Sequence, residues 1–213
     1  MLGLRAVVFD YGMVLTGLPD PAAHTRMLQL TGLPVARFEP LYWADRHAYD
    51  EGKMTGLEMW QKLARDGGLT LPADVLDELN QCDGRMWSTV NPAMVAWARA
   101  LKQKGLLIGI LSNMGDHVQE TLCRTHAWIQ EFDVLVWSYL LKIAKPDPAI
   151  YHHMLAKLGT MPEETLFIDD KLINIEAAQA VGMKAIQFST VEQLKADLLA
   201  AGLDHELPLP IVE

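Results

Sequence analysis

The stretch that decides the fold is RAVVFDYG, residues 5–12. Four consecutive apolar residues, two of them the β-branched Val7 and Val8, are typical of a strand that is buried on both faces. Asp10 ends the apolar run abruptly, and Gly12 indicates a turn directly after it. We therefore expect a buried strand whose carboxyl end presents Asp10.

Four further apolar runs have a similar length and composition, and they lie at residues 106–111, 134–137, 165–168 and 184–188. Helical patterns lie between them, and their starts and ends are marked. Asn91-Pro92 and Asp147-Pro148 each combine a capping residue with a proline at the first helical position, and the helices that follow end at Gly105 and Gly159. The alternation predicts an α/β fold, a doubly wound parallel sheet wrapped by helices.

The first two runs are separated by residues 10–105, which is more than one crossover connection needs. Within this segment, residues 18–88 show helical patterns alone. We predict that residues 1–17 and 89–213 form the α/β domain and that residues 18–88 form an inserted helical domain. An insertion that follows the first strand lies over the carboxyl end of the sheet.

Several boundaries follow from capping patterns. Asp20-Pro21 begins a helix that ends at Gly32, and Thr55 with Glu58 forms a capping box for a second helix. A third helix is predicted over residues 73–81, and Thr190 with Gln193 predicts a capping box for the last helix. The two prolines of residues 206–213 indicate a surface tail.

Composition excludes several functional classes. The chain has 213 residues, of which 50% are hydrophobic and 21% charged, as in an ordinary globular protein. The formal charge of −9 argues against nucleic acid or an anionic membrane as a partner, because both require basic patches. Cys82 and Cys123 form neither a disulfide framework nor a zinc site. No run resembles a secretion signal or a membrane span, so we expect a cytoplasmic protein.

Polar residues follow three of the apolar runs, as Asp10, Ser112-Asn113 and Asp169-Asp170. The carboxyl ends of parallel strands meet at one edge of the sheet, so these residues are expected to share one crevice. Three clustered carboxylates repel one another and need a cation. A hard ion with oxygen ligands, Mg²⁺ above all, meets that need and also binds a phosphate oxygen. Lys145 adds a positive charge from a later loop.

Four segments together resemble the haloacid dehalogenase superfamily, in the order VVFDYGMVL, ILSN, AKPDPAIY and FIDDKLIN. The resemblance spans the chain. It implies a Rossmann-like core, and the helical insertion resembles the C1-type cap of that family. The paired acids of the last segment are similar to those of the phosphatase branch.

The resemblance implies a Mg²⁺-dependent phosphatase for a small phosphorylated metabolite. Asp10 would attack phosphorus to form an aspartyl-phosphate, and water would then hydrolyse it. The resemblance implies that Mg²⁺ is held by Asp10, the carbonyl of Gly12 and Asp170, with Asp169 bound directly or through water. It further implies that Ser112 and the N–H of Asn113 hold the phosphoryl group. Lys145 would pair with the nucleophile and the phosphate, and Asn174 would brace the acidic loop.

The chain departs from the family pattern at three positions. The family commonly has a second aspartate two residues after the nucleophile, where this chain has Gly12. Some similar members share the glycine, including a branch that acts on sugar 1-phosphates. Relatives also often have an acid near Leu140 and a glycine where Lys142 stands, which puts the geometry of the Lys145 loop in question.

Residues 41–49 are the segment of the insertion with the strongest polar and aromatic character. Tyr42, Arg46 and Tyr49 share one helical face, and Trp43, His47 and Asp50 share another. Arg46, His47 and Tyr49 are our candidates for substrate specificity, and packing within the insertion is an equally good reading of each.

Three other functions remain open. Gly12 and the altered loop before Lys145 suit a catalytically idle phosphate-binding module. In a 2-haloacid dehalogenase, Asp10 would attack carbon instead of phosphorus, and no metal would be needed. The acid pair Asp169-Asp170 disfavours this function, because it suggests a metal site. A carbon–phosphorus hydrolase would need a lysine from the insertion such as Lys53.

Overall fold

The structure is a computed structural model that describes residues 3–212. Its centre is a parallel five-stranded sheet in the order β3-β2-β1-β4-β5. The strands are β1 (Ala6–Phe9), β2 (Leu107–Ser112), β3 (Val134–Trp137), β4 (Thr165–Asp169) and β5 (Lys184–Gln187). All five predicted strands and the parallel α/β fold are confirmed.

The alternation of side chains along β1 explains why the strand is apolar on both faces. Val7 and Phe9 belong to one hydrophobic cluster, whereas Ala6 and Val8 belong to a second one on the opposite face. The backbone of β1 pairs with β2 on one side and β4 on the other. The chain adds strands outward from β1 to β3 and then returns to β4, so the strand order reverses beside β1, where open α/β sheets bind ligands.

Helices fill both faces of the sheet and the insertion. They are α1 (Pro21–Thr31), α2 (Val35–Ala44), α3 (Arg46–Asp50), α4 (Gly56–Asp66), α5 (Ala73–Met86), α6 (Pro92–Gln103), α7 (Asp116–Thr125), α8 (Ser138–Leu141), α9 (Pro148–Leu158), α10 (Leu172–Ala180) and α11 (Val191–Ala200). Asn91 caps α6 by accepting a hydrogen bond from the N–H of Met94, and Asp147 caps α9 by accepting one from Ala149. Every helix within residues 3–212 is too short or too polar to span a bilayer.

Between β1 and α6 the chain is helical, and we refer to residues 18–88 as the insertion. Its core is aromatic: Phe38, Tyr42 and Trp60 are fully or almost fully buried, and the ring of Phe38 stacks on the other two. Thr55 and Glu58 form the expected reciprocal capping box at the start of α4. The exact division at residues 17/18 and 88/89 stays a prediction.

The two chain segments that join the insertion to the sheet are hydrogen-bonded to each other. The N–H of Asn91 donates to the carbonyl of Leu15 at 2.9 Å, and the N–H of Asp20 donates to the carbonyl of Met86 at 2.9 Å. The hydroxyl of Thr89 donates to the carbonyl of Leu18 at 2.8 Å. The two connections therefore form one strap.

The insertion is also docked directly against the sheet domain. The hydroxyl of Ser138 donates to the backbone carbonyl of Asp50, and the ammonium of Lys142 donates to the carbonyl of Gly52. A Cβ placed on Gly115 would lie 2.1 Å from the ring of Tyr49, so only glycine permits this approach. These contacts hold α3 close to the carboxyl end of the sheet.

Four sequence predictions differ from the structure. Residues 42–50 do not form one helix, because α2 ends at Ala44 and α3 begins at Arg46. The helix predicted over 73–81 continues to Met86, since Leu79, Cys82 and Met86 extend its buried face. Thr190 accepts from the N–H of Gln193, but the amide of Gln193 donates to Asp197, so the box is only half formed.

The prediction of a surface tail at residues 206–213 is wrong for the part that the structure describes, residues 206–212. Leu207 is buried in the same hydrophobic cluster as β1. The carbonyl of Pro208 accepts a hydrogen bond from the indole of Trp97 at 2.6 Å. The prolines in this segment end the helix-forming pattern, but they do not prevent packing.

Candidate active site

Three strand ends meet at one edge of the sheet. Asp10 directly follows β1, Ser112 ends β2 and Asp169 ends β4. The register places Phe9 opposite Ile110 on one side and Ile168 on the other. The N–H of Asp10 continues the ladder by donating to the carbonyl of Ile168 at 2.8 Å. The topology therefore brings together residues that are far apart in the sequence.

Lys145 lies between two of these carboxylates. Its ammonium is 2.9 Å from Oδ1 of Asp10 and 2.6 Å from Oδ2 of Asp169, and its side chain is only 1% exposed. The side-chain amide of Asn113 fixes the loop that carries it, because Nδ2 donates to the carbonyl of Lys145 and Oδ1 accepts from its N–H, both at 2.8 Å. The side chain of Lys145 therefore lies in the site, although the sequence before it departs from the family pattern.

Lys142 shows how the chain tolerates that unusual sequence. Its φ is 58°, in the left-handed region that favours glycine. Its side chain makes the hydrogen bond to Gly52 described above. This contact couples the loop to the insertion, which a glycine at this position would not do.

Asp169 is held in one orientation. The amide of Asn174 donates to both carboxylate oxygens at 3.0 Å, and the N–H of Lys171 donates to Oδ1 at 2.8 Å. Asp170 points differently and lines the cavity described below, while its backbone carbonyl accepts from the amide of Gln187 at 2.9 Å.

Burial and charge shift the proton affinities of the cluster. Burial raises the pKa of Asp10, although the ammonium of Lys145 acts in the opposite direction. Burial alone would also raise the pKa of Asp169. The charge of Lys145 and the hydrogen bonds from Lys145, Lys171 and Asn174 outweigh burial and hold this pKa below its usual value. Burial together with the charges of Asp10 and Asp169 raises the pKa of Asp170 to about 6.

The three carboxylates fit a divalent cation. One oxygen from each of Asp10, Asp169 and Asp170 lies within 4.8 Å of the others. Burial and the charges of Asp10 and Asp169 raise the pKa of Asp170 even though Lys171 and Lys145 oppose the rise, so the cluster has room for a further positive charge. Oxygen donors that are close together, acidic and partly buried are the donor set that Mg²⁺ prefers.

The turn after β1 shapes the site beside Asp10. Gly12 and Met13 depart from helical geometry, and Met13 has a φ of 59°, which is uncommon for a residue with a side chain. The hydroxyl of Thr16 accepts from the N–H of Met13 at 2.8 Å and stabilises the turn. A Cβ placed on Gly12 would lie 3.9 Å from Oδ2 of Asp10, so a side chain at this position would face the carboxylate of Asp10.

A cavity of about 220 Å³ opens above the cluster. Its floor belongs to the strand ends and includes Asp10, Gly12, Ser112, Asn113, Lys145, Asp170 and Asn174. Its walls are mostly apolar and come from both parts of the chain: Met13, Met114 and Val118 from the sheet domain, and Trp43 and Trp87 from the insertion. Arg46, Asp50 and Lys171 add charged groups at the walls.

Arg46 is the best-partnered side chain of the insertion. Its guanidinium donates to Asp50 at 3.0 Å, to both oxygens of Asp83 at 2.9 and 3.1 Å, and to the hydroxyl of Tyr42. The rings of Tyr42, Tyr49 and Trp87 surround it at 5.2–5.7 Å. Arg46 thus reaches the cavity wall but is engaged in a buried ion-pair network.

The structure does not bring the other two specificity candidates to the cavity. His47 is exposed and lies 3.6 Å from Glu51. Tyr49 is fully buried, and its ring packs on Gly115 instead. Their placement does not support a role in substrate binding.

The sequence of the chain matches a known protein family. The family model of haloacid dehalogenase-like hydrolases matches residues 4–182. The chain belongs to this family. It is therefore a hydrolase, and the strand ends that hold its acidic cluster lie within the matched region.

Two relatives that are named as phosphatases share most of their length with the chain. A phosphatase of Mycobacterium tuberculosis is 29% identical over 190 residues, which cover 86% of this chain and 87% of that protein. A sesquiterpene phosphatase of Aspergillus oryzae is 29% identical over 153 residues, 66% of this chain and 77% of that protein.

Solved structures share the fold. A haloacid dehalogenase (HAD) family enzyme of Bacteroides thetaiotaomicron was crystallised with magnesium and inorganic phosphate. It superposes on this chain with a TM-score of 0.74 at 22% identity, and the superposition covers 88% of this chain and 95% of that enzyme. A HAD-like hydrolase of Porphyromonas gingivalis gives a TM-score of 0.73 at 22% identity, over 94% of this chain and 98% of its own.

Proposed function

We propose that the protein is a Mg²⁺-dependent phosphatase that hydrolyses a small phosphorylated metabolite through an aspartyl-phosphate on Asp10. The observation that carries the proposal is the ammonium of Lys145 between Asp10 and Asp169, at the floor of a cavity. A buried cation beside a carboxylate nucleophile balances its charge and that of an incoming phosphoryl group. The phosphatase relatives and the neighbour crystallised with magnesium and phosphate support the assignment.

Each side chain has a role that follows from its position. Asp10 attacks phosphorus in line with the departing oxygen, and Asn174 and Lys145 keep Asp169 from turning toward the substrate. Ser112 and the N–H of Asn113 face the phosphoryl oxygens from the start of the loop after β2. Asp10, Asp169, Asp170 and the carbonyl of Gly12 would hold Mg²⁺, which neutralises the developing charge when it is bound.

The cavity walls favour a substrate with an apolar portion. Trp43 and Trp87 line the cavity together with Met114 and Val118. Burial of apolar surface against such walls contributes affinity in proportion to the area removed from water. The sequence resemblance favours a sugar phosphate, whereas these walls favour aryl or prenyl phosphates, and the sesquiterpene phosphatase relative agrees with the latter.

Phosphate release tests the proposal. Wild-type protein with Mg²⁺ is expected to release phosphate from 4-nitrophenyl phosphate, and a chelator is expected to stop the release. Asp10→Asn is expected to lower kcat by at least about 1,000-fold, because it removes the nucleophile. Release that survives Asp10→Asn contradicts the mechanism.

Mg²⁺ binding is measured separately by titration calorimetry, since the donor set predicts binding without substrate. Asp170→Asn is expected to weaken it. Thermal stabilisation by inorganic phosphate without turnover of any ester in a broad panel would favour the idle phosphate-binding module. Halide release from a 2-haloacid without Mg²⁺ would favour a dehalogenase.

A further inference from the structure

The proposed reaction lacks a proton donor at the floor of the cavity. An alkoxide leaving group departs slowly unless an acid protonates it. Lys145 is committed to two carboxylates, and Asp10 and Asp170 belong to the nucleophile and metal group. A side chain at position 12 would point at Asp10, but Gly12 has none and so cannot supply a proton. Tyr11 also lines the cavity, but burial raises the pKa of its hydroxyl far above neutral, so we look for the donor in the walls.

We propose that Asp50, at the end of α3 in the insertion, is the acid that protonates the leaving group and the base that then activates water. This assignment rests on the proposed phosphatase function. Among the described residues that line the cavity, Asp50 is the carboxylate outside the nucleophile and metal group. It lines the same cavity as Asp10, and in the proposed reaction the part of the substrate beyond phosphorus would occupy that cavity.

The fold holds Asp50 in place from three directions. Its Oδ1 accepts from Nε of Arg46 at 3.0 Å, its backbone carbonyl accepts from the hydroxyl of Ser138, and the neighbouring Gly52 accepts from Lys142. The side chain is 17% exposed, so the carboxylate is neither sealed in the protein nor open to bulk solvent. A group held this way is preoriented toward a ligand in the cavity.

The charges around Asp50 suit a proton donor. Burial raises its pKa to about 6, Arg46 on its own helix opposes the rise, Asp83 on α5 adds to it, and Lys171 from the loop before α10 opposes it. Ser138 on α8 bonds the backbone carbonyl rather than the carboxylate. A carboxyl group with this pKa is partly protonated near neutral pH, as general acid catalysis requires.

The two steps balance. As Oδ of Asp10 forms its bond to phosphorus, the bond from phosphorus to the leaving oxygen breaks, and that oxygen takes the proton of Asp50. In the second step the Asp50 carboxylate takes a proton from water, the water oxygen bonds to phosphorus, and the bond between phosphorus and Asp10 breaks. Phosphate leaves, and both aspartates return to their starting states.

Leaving-group dependence tests this assignment. The two probes are 4-nitrophenyl phosphate, whose weakly basic phenolate needs no proton, and benzyl phosphate, whose strongly basic alkoxide does. Asp50→Asn keeps an oxygen for Arg46 and removes the acid. We expect kcat/KM for benzyl phosphate to fall by about 100-fold and that for 4-nitrophenyl phosphate to stay within about threefold.

Glu51→Gln is the matched control. Glu51 is the next residue, its side chain is also 17% exposed, and it pairs with Lys53 at 2.6 Å without lining the cavity. We expect it to leave the rates for both esters unchanged. Activity on 4-nitrophenyl phosphate also shows that the Asp50→Asn protein is folded.

A pH profile gives a second readout that a purely structural role would not change. In the wild type, the ratio of kcat/KM for benzyl phosphate to that for 4-nitrophenyl phosphate is expected to fall above about pH 6, as Asp50 loses its proton. In Asp50→Asn the ratio is expected to be flat. The ratio cancels titrations that affect both esters.

Equal losses for the two esters in Asp50→Asn, or no loss for either, would overturn the role of Asp50 and leave the phosphatase function standing. The phosphatase function itself is judged on a different result, the dependence of 4-nitrophenyl phosphate hydrolysis on Asp10.

Discussion

Replacing Arg46 by methionine separates a structural role from a substrate-binding role for this residue. The side chain is 10% exposed, and its partner Asp83 is fully buried. Arg46→Met keeps much of the apolar stem but leaves the Asp83 carboxylate without its cation. Breaking a buried ion pair on one side typically costs about 3–5 kcal/mol, and we expect a loss of that size in the free energy of unfolding.

Urea unfolding followed by tryptophan fluorescence measures this loss. Arg99→Met is the matched control, because Arg99 makes an equally close bidentate pair with Glu131, at 2.7 and 2.6 Å, on the surface. With its side chain 50% exposed, this pair is expected to contribute no more than about 1 kcal/mol. The double variant Arg46→Met/Asp83→Leu is expected to regain part of the lost stability, because the fully buried carboxylate is removed together with its cation and only the partly exposed Asp50 loses a partner.

Comparable losses for Arg46→Met and Arg99→Met would refute this reasoning. So would an Arg46→Met protein of unchanged stability whose KM alone has risen, since that result would make Arg46 a substrate ligand and not a part of the insertion's core.

Three further results are expected. Gly115→Ala should destabilise the protein by about 1–3 kcal/mol in thermal unfolding, because the new methyl would lie 2.1 Å from the Tyr49 ring, whereas Gly17→Ala has ordinary contacts and should be nearly neutral. Asp50 has its pKa raised from 3.8 to about 6, so it contributes stability at low pH that is lost as the pH rises through this window. The stability of Asp50→Asn relative to the wild type should therefore rise by up to about 3 kcal/mol from about pH 4 to pH 7 in urea titrations, and a flat difference would show that the carboxyl is not perturbed. Leu207→Ala should cost about 2–4 kcal/mol, because the side chain is buried, and a change below about 0.5 kcal/mol would restore the view of this segment as a loose tail.

The sheet could be predicted because each central strand is recognisable from its own short stretch of sequence. β1, β2 and β4 are apolar on both faces, as a parallel strand between two helical layers must be, and each either ends in a polar residue or is directly followed by one. Parallel pairing then places those ends together without further information. The clustering of Asp10 with Asp169 and Asp170 follows from topology alone.

The cavity walls were not predictable in the same way. Asp50 and Trp87 lie in the insertion, and whether they reach the site depends on how the insertion docks on the sheet domain. That docking depends on small contacts, such as the close approach of Tyr49 to Gly115 and the bond from Ser138 to a backbone carbonyl. No periodicity in the sequence records such contacts, so the sequence pattern indicates His47 and Tyr49 and gives no sign of Asp50. The shared helical face predicted for residues 42–49 also assumed one continuous helix, whereas the helix breaks at Asp45.

The strap formed by the two connections ties the two ends of the insertion together beside the sheet domain. Because the connections are bonded at Leu15, Leu18 and Met86, neither can lengthen or twist without the other. The insertion is held to the sheet domain a second time by the bonds at Asp50 and Gly52, and its helix α5 lies against α7. The proposed acid is therefore carried by a part of the chain that is fixed at its two ends and at α3, so its position relative to Asp10 depends on the insertion as a whole.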